Sequence, residues 1–177
     1  LNSNFGSLFF GSSEATYAFS GCNKLISLNL DRSSVSGYIP LFNNASLRNI
    51  DLLGCNNLIA GRPGESGTAK CLYNRTFENS PNVSFFRLTV NNTNFAGEIE
   101  PNTFVPLQNS LTYLDLFSNG RFTGDFPDLE SLTKLTKINS SSQNWGQGSS
   151  ASLPSFASAS LIEEIRLANN SFTGSIS

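Results

Sequence analysis

Leu25-Ile26-Ser27-Leu28-Asn29-Leu30, continued by Val35, Gly37, Ile39 and Pro40, is the stretch that decides the fold. The phrase returns near the other end of the chain as Ile162, Ile165, Leu167, Asn170, Phe172, Gly174 and Ile176. Aligned on these anchors, seven copies start at Phe5, Leu25, Leu47, Phe85, Leu111, Leu135 and Ile162, with steps of 20, 22, 38, 26, 24 and 27 residues. Self-similarity at such a period marks a stacked solenoid. One repeat alone cannot bury its apolar face, and only the stack makes a core.

Within each copy the apolar residues alternate, as at Leu28-x-Leu30, Ile50-x-Leu52, Leu88-x-Val90, Leu114-x-Leu116 and Ile165-x-Leu167. That is the period of a strand with one buried face. The expectation is one short parallel strand per repeat, centred on Leu28, Ile50, Leu88, Leu114, Ile138 and Ile165. Phe19, Phe42, Phe104, Leu129 and Phe156 each precede the next repeat by five to seven residues, as a phenylalanine spine on the convex side requires. Ser140 is a polar residue where the copy at Leu135 calls for an apolar one. The long third step predicts an inserted loop over 59–84 within a single domain spanning 1–177. Its Gly-rich start, Gly61-Arg62-Pro63-Gly64-Glu65-Ser66-Gly67, reads as an excursion from the coil.

Ser36-Gly37-Tyr38-Ile39-Pro40, Ala96-Gly97-Glu98-Ile99-Glu100, Thr123-Gly124-Asp125-Phe126-Pro127 and Thr173-Gly174-Ser175-Ile176-Ser177 add a further shared phrase. With these marks the chain resembles a leucine-rich repeat protein of the plant-type class. The resemblance implies an α/β-type repeat solenoid: a right-handed coil of about seven repeats with a parallel sheet on the concave face and a mostly irregular convex side. It also implies a second small strand or turn after each concave strand. The family includes receptor ectodomains, inhibitors of pathogen cell-wall enzymes, ice-binding proteins and wall components, so for function it is a weak guide. Glu100 and Ser177 stand where the phrase has proline, and the family's paired-cysteine N-terminal cap is missing.

Charged residues make up 14% of the chain and the formal net charge is −2, which points to neither nucleic acid nor an anionic membrane as partner. No apolar run reaches the ~18 residues of a membrane span, so no membrane insertion is expected in this segment. Histidine is absent, which removes the usual nucleophile-activating base and imidazole metal sites. Glu163 with Glu164 and Asp125 with Asp128 read as solvated carboxylates rather than an acid and base pair. The expectation is a protein that is not an enzyme and needs no cofactor.

Asn-x-Ser/Thr sequons occur at Asn44, Asn74, Asn82, Asn91, Asn139 and Asn169, a number that a chain this rich in Asn, Ser and Thr reaches by chance. Read as N-glycosylation sites they imply secretion, or the ectodomain of a surface protein, and an oxidising compartment. Asn91 and Asn139 would place N-linked glycans on the concave strand face. Of the three cysteines, Cys55 and Cys71 are expected to form a disulfide across the insertion, and Cys22 to be a small buried filler.

The concave face offers an apolar and aromatic island, Leu53, Phe86, Tyr113 and Phe117, with Arg87 and Asp115 beside it. Two functions follow as expectations. One is a recognition module binding a protein, peptide or polysaccharide through Arg87, Tyr113, Asp115 and Phe117. The other is a structural glycoprotein of an extracellular matrix or filament, its units joined end to end under a glycan coat. The chain opens almost directly with a repeat strand and stops inside a repeat. More protein is therefore expected to cover both ends, by continuation of the chain or by head-to-tail self-association.

Overall fold

The computed structural model describes residues 9–10, 17–19, 21–61, 70–91, 95–119, 122–143, 145 and 155–173. Short strands follow one another along it: β1 (Phe9–Phe10), β2 (Tyr17–Ala18), β3 (Ser27–Asn29), β4 (Ser36–Tyr38), β5 (Leu41–Phe42), β6 (Asn49–Leu53), β7 (Asn57–Ile59), β8 (Lys70–Leu72), β9 (Phe85–Thr89), β10 (Glu98–Ile99), β11 (Tyr113–Asp115), β12 (Lys137–Asn139) and β13 (Glu164–Arg166). Helix among the described residues is confined to a single 3-10 turn, Val105–Leu107. β3, β6, β9, β11, β12 and β13 form one six-stranded sheet, in that order across it. The other strands pair as β1-β4-β7, β2-β5 and β8-β10. All these pairings are parallel.

The large sheet takes the same residue position from each repeat. Leu28, Ile50, Phe86, Leu114, Ile138 and Ile165 lie in one row. This corrects the register of the fourth repeat, whose row residue is Phe86 and not Leu88. Counted from the row, that repeat starts at Val83, two residues before the expected Phe85. A slip of two leaves every side chain on its original face, so alternation alone cannot detect it. Phe86 is consequently a core residue, fully buried, and does not belong to the surface island. The expected copy at Phe5 begins outside the described residues, but β1 and β2 pair with β4 and β5.

A second regularity marks the chain's exit from the sheet in five repeats. The eighth residue of a repeat has a left-handed backbone at Arg32 (φ 52°), Gly54 (69°), Ser118 (56°), Ser142 (60°) and Asn169 (58°). Just before it, backbone N–H groups reach the next repeat: Leu30 to Asp51, Leu116 to Asn139 and Ser140 to Arg166, at 2.8–2.9 Å. The sharp turn then carries the chain off the sheet. Only Gly54 adopts it at no steric cost.

The inward face of the sheet packs on two aromatic stacks. Phe42, Phe77 and Phe104, all buried, succeed one another with ring centroids 5.9 Å apart. Leu129 is buried in the expected spine position, and Phe19 and Phe156 are partly buried against the core. The second stack runs Phe95, Phe122, Trp145, Phe126 and Phe172, at successive separations of 6.0, 5.3, 5.1 and 5.7 Å. Trp145 also compensates for Ser140, whose buried hydroxyl accepts the indole N–H at 2.9 Å.

Of the insertion expected over 59–84, residues 62–69 lie outside the described residues, and those on either side pair with the other repeats. Gly61 N–H donates to Lys70 O at 2.8 Å and closes the loop at its neck. β8 then pairs with β10, Lys70 forms an ion pair with Glu98, and Phe42 N–H donates to Thr76 O at 2.9 Å. Phe77 thus completes the spine between Phe42 and Phe104. Truncating it leaves a cavity between two stacked rings, so Phe77→Ala is expected to cost about 3–5 kcal/mol in chemical denaturation. Phe117→Ala, which removes an exposed ring, is expected to cost less than about 1 kcal/mol in the same measurement.

Candidate functional site: the open face of the parallel sheet

Strand alternation sends the third, fifth and seventh residues of each repeat to the open face. With the corrected register the fifth-position row reads Asn29, Asp51, Arg87, Asp115, Asn139 and Arg166. Four of these have a common local job. The side-chain oxygen of Asn29, Asp51, Asp115 and Asn139 accepts the N–H two residues on, at Asp31, Leu53, Phe117 and Ser141, over 2.9–3.3 Å. Each such Asx turn ends its strand.

Arg87 breaks that pattern and reaches sideways. Its Nε donates to Asp51 Oδ1 at 2.9 Å and its Nη2 to Asp51 Oδ2, a bidentate pair across the strands. Those hydrogen bonds hold the guanidinium above its ordinary pKa. Its Cζ lies 5.7 Å from the ring centre of Phe85, which stacks face to face on Tyr113 at 4.9 Å and 6°. Tyr113 Oη donates to Asp115 Oδ2 at 3.2 Å. Burial, followed by the neighbouring Asp115 charge and this hydrogen bond, pushes the Tyr113 hydroxyl above its ordinary pKa and keeps it a donor. Phe117, in the turn after β11, leaves 43% of its surface exposed.

The structure thus brings Arg87, Tyr113, Asp115 and Phe117 together, and adds Phe85 and Asp51. Phe85 takes the place on this face expected of Phe86. Toward the far edge, Glu164 lies 4.0 Å from Lys137 and 2.5 Å from Arg166. No group of three potential metal ligands occurs among the described residues. No helix there is long and apolar enough to cross a membrane.

On the inner side, the ninth residue of four repeats spans to the repeat before it. Cys55 Sγ donates to Leu30 O at 3.2 Å, Asn119 Nδ2 to Leu88 O at 2.8 Å, Gln143 Nε2 to Leu116 O and Asn170 Nδ2 to Ser140 O at 2.8 Å. Cys55 therefore has a partner in the preceding repeat, while Cys71 lies buried in β8, which pairs forward to β10. All three cysteines are free thiols, and the expected Cys55–Cys71 disulfide is absent. Burial raises the pKa of both the Cys55 and Cys71 thiols. Cys22 is exposed, not the buried filler expected.

The sequons divide by environment. Asn44 is 4% exposed; its Nδ2 donates to Cys22 O, its Oδ1 accepts Ser46 N–H at 2.9 Å, and its own N–H donates to Ser80 Oγ at 2.9 Å. A glycan on that nitrogen would break the turn that it ties. Asn74, Asn82, Asn91 and Asn169 are exposed, and Asn139 is half-buried in β12. In the corrected register Asn91 is a ninth-position residue beyond β9, not part of the strand face.

No protein-family model, curated protein or solved structure matches the chain.

Thiol titration tests this arrangement directly. Native protein is expected to release one rapidly reacting thiol, from Cys22, and three after denaturation without reductant. A bridged Cys55–Cys71 pair would leave only one after denaturation.

Proposed function

We propose that the chain is a plant-type leucine-rich repeat solenoid that acts outside the cell as a non-enzymatic recognition module, holding a protein, peptide or polysaccharide on the concave face of its parallel sheet. The repeat reading rests on two regularities of that class: a strand from each described repeat in a common row, and in four repeats a ninth-position Asn, Cys or Gln tied to the repeat before. The recognition reading is carried by one observation. Arg87 with Asp51, Phe85 with Tyr113, and Asp115 with Tyr113 and Phe117 form a single connected cluster at the middle of the open face. The side chains of Asp51, Phe85, Arg87, Tyr113 and Asp115 are already held by one another, so a ligand need not spend free energy ordering them, and Phe117 adds an exposed ring. Exposed aromatics beside an immobilised arginine are the composition of an interface hot spot.

The corrected place of Asn91 favours recognition over a structural glycoprotein, because it leaves Asn139 as the one sequon on the described strand face. Sugars on Asn74, Asn82, Asn91 and Asn169 belong to the proposal, as does secretion. Glycopeptide mapping of material secreted by a eukaryotic host is expected to find Asn74 and Asn82 occupied and Asn44 bare.

Selection from a random-peptide library and screening on a glycan array, with wild type and Tyr113→Ala/Phe117→Ala side by side, tests the binding face. Ligands selected on wild type are expected to lose about thirtyfold or more in affinity for the double variant, a single ring at a hot spot being worth about 2 kcal/mol. Ligands that bind both proteins equally would place recognition elsewhere.

A further inference from the structure

Four carboxylates stand on the open face at the third, fifth and seventh positions of the described repeats, and three have a cation of the same chain beside them. Asp31 lies 3.7 Å from Arg32, Asp51 holds Arg87, and Glu164 lies between Lys137 and Arg166. Asp115 is the fourth. It is only 8% exposed, as buried as Asp51, yet forms no salt bridge among the described residues. Its neighbours across the strands are the neutral Asn139 and Arg87, whose charge acts on Asp115 while its Nε and Nη2 hydrogen bonds go to Asp51. Its hydrogen bonds come from a phenol and a backbone N–H, at 3.2 and 3.0 Å.

A carboxylate removed from water with no cation hydrogen-bonded to it still has room to gain from a paired charge. The residues framing it along β11 are aromatic. Tyr113 precedes it, Phe117 follows it, and the stack of Phe85 on Tyr113 already carries one guanidinium, that of Arg87. Aromatic rings around a carboxylate favour a planar cation, which gains from the ring faces as well as from the charge.

We infer that Asp115, framed by Tyr113 and Phe117, is the subsite for a cationic side chain, an arginine above all, presented by a peptide or protein laid across the sheet. This rests on the recognition reading and narrows its ligand to a basic polypeptide segment. The arginine fork meets the carboxylate on the lone pairs left by Tyr113 and Phe117, and its stem lies against the exposed ring of Phe117. Arg87 sets the position of the subsite by closing off the Asp51 side.

The substitution that isolates the charge is Asp115→Asn. Asn29 and Asn139 make the same turn-ending hydrogen bond in the same row, so the fold accepts asparagine there. Thermal denaturation is expected to show the variant at least as stable as wild type, since it removes a buried charge without a cation. Peptides selected on wild type from the random library are expected to be enriched in arginine or lysine over the input pool. Resynthesised peptides are expected to bind Asp115→Asn about thirtyfold or more weakly, and replacement of the key arginine by neutral citrulline is expected to cost as much. Selected peptides without such enrichment, or equal binding to Asp115→Asn, overturn the cation subsite. If those peptides still lose affinity for Tyr113→Ala/Phe117→Ala, the recognition face survives that failure. Binding to the glycan array alone likewise overturns the cationic ligand, and no ligand from either screen overturns both.

Discussion

Side chains that reach back from one repeat to a carbonyl of the repeat before it are the interaction on which the sheet's register leans most. When the chain turns off the sheet, the sixth-position carbonyl faces the interior and strand pairing does not satisfy it. The ninth residue of the following repeat reaches back to it: Cys55 to Leu30, Asn119 to Leu88, Gln143 to Leu116, Asn170 to Ser140. Leu30 O also accepts the Ser33 N–H of its own repeat at 3.0 Å, so these reaches fasten one repeat to the next without being the sole donor to every carbonyl. Asn119 does more, since Val90 N–H donates to its Oδ1 at 2.7 Å and its Nδ2 also reaches Leu116 O at 2.6 Å. Repeats that satisfy one another in this way cannot slip along the sheet.

The same register orders the open face. Equivalent positions stand side by side at the spacing of neighbouring strands, which brings Phe85 and Tyr113 into parallel stacking and Arg87 within reach of Asp51. Neither contact is local in sequence. The fifth-position carboxylates and amides serve the fold first, by ending strands, and only what remains of their hydrogen-bonding capacity is open to a partner. Asp115 is where that remainder carries a charge with no cation bound to it.

Strands and their direction were legible because alternation and repeat phase report burial directly. The fourth repeat was misread because Phe85, Phe86, Leu88 and Val90 offer apolar residues in two registers of equal parity, and only pairing across the sheet separates them. That slip concealed the Asp51–Arg87–Asp115 row. Cys55 was misread because a cysteine near a long insertion suggests a bridge, whereas the ninth position asks for a donor and a thiol can supply one. Its place three residues after Leu52 was the available signal. Phe77 was overlooked because it follows the loop, where chain length obscures the phase. Asn44 matches a modification signal in three letters, yet its side chain is consumed by Cys22 O and Ser46 N–H, contacts no local pattern reveals.

The neck formed by Gly61 and Lys70 separates two kinds of sequence freedom. Strands enter and leave it already paired, β7 with β4 and β8 with β10, and the Lys70–Glu98 ion pair fastens its far side. Chain added between those two residues need not disturb any row of the sheet, and each doubling of a flexible loop costs only about 0.6 kcal/mol in closure entropy. One residue added between the third and ninth positions of a repeat would instead turn the open face inward or strip a carbonyl of its donor. Length variation among descendants of this sequence should therefore collect at that neck, which is also where a tag or a grafted segment can be inserted at least cost.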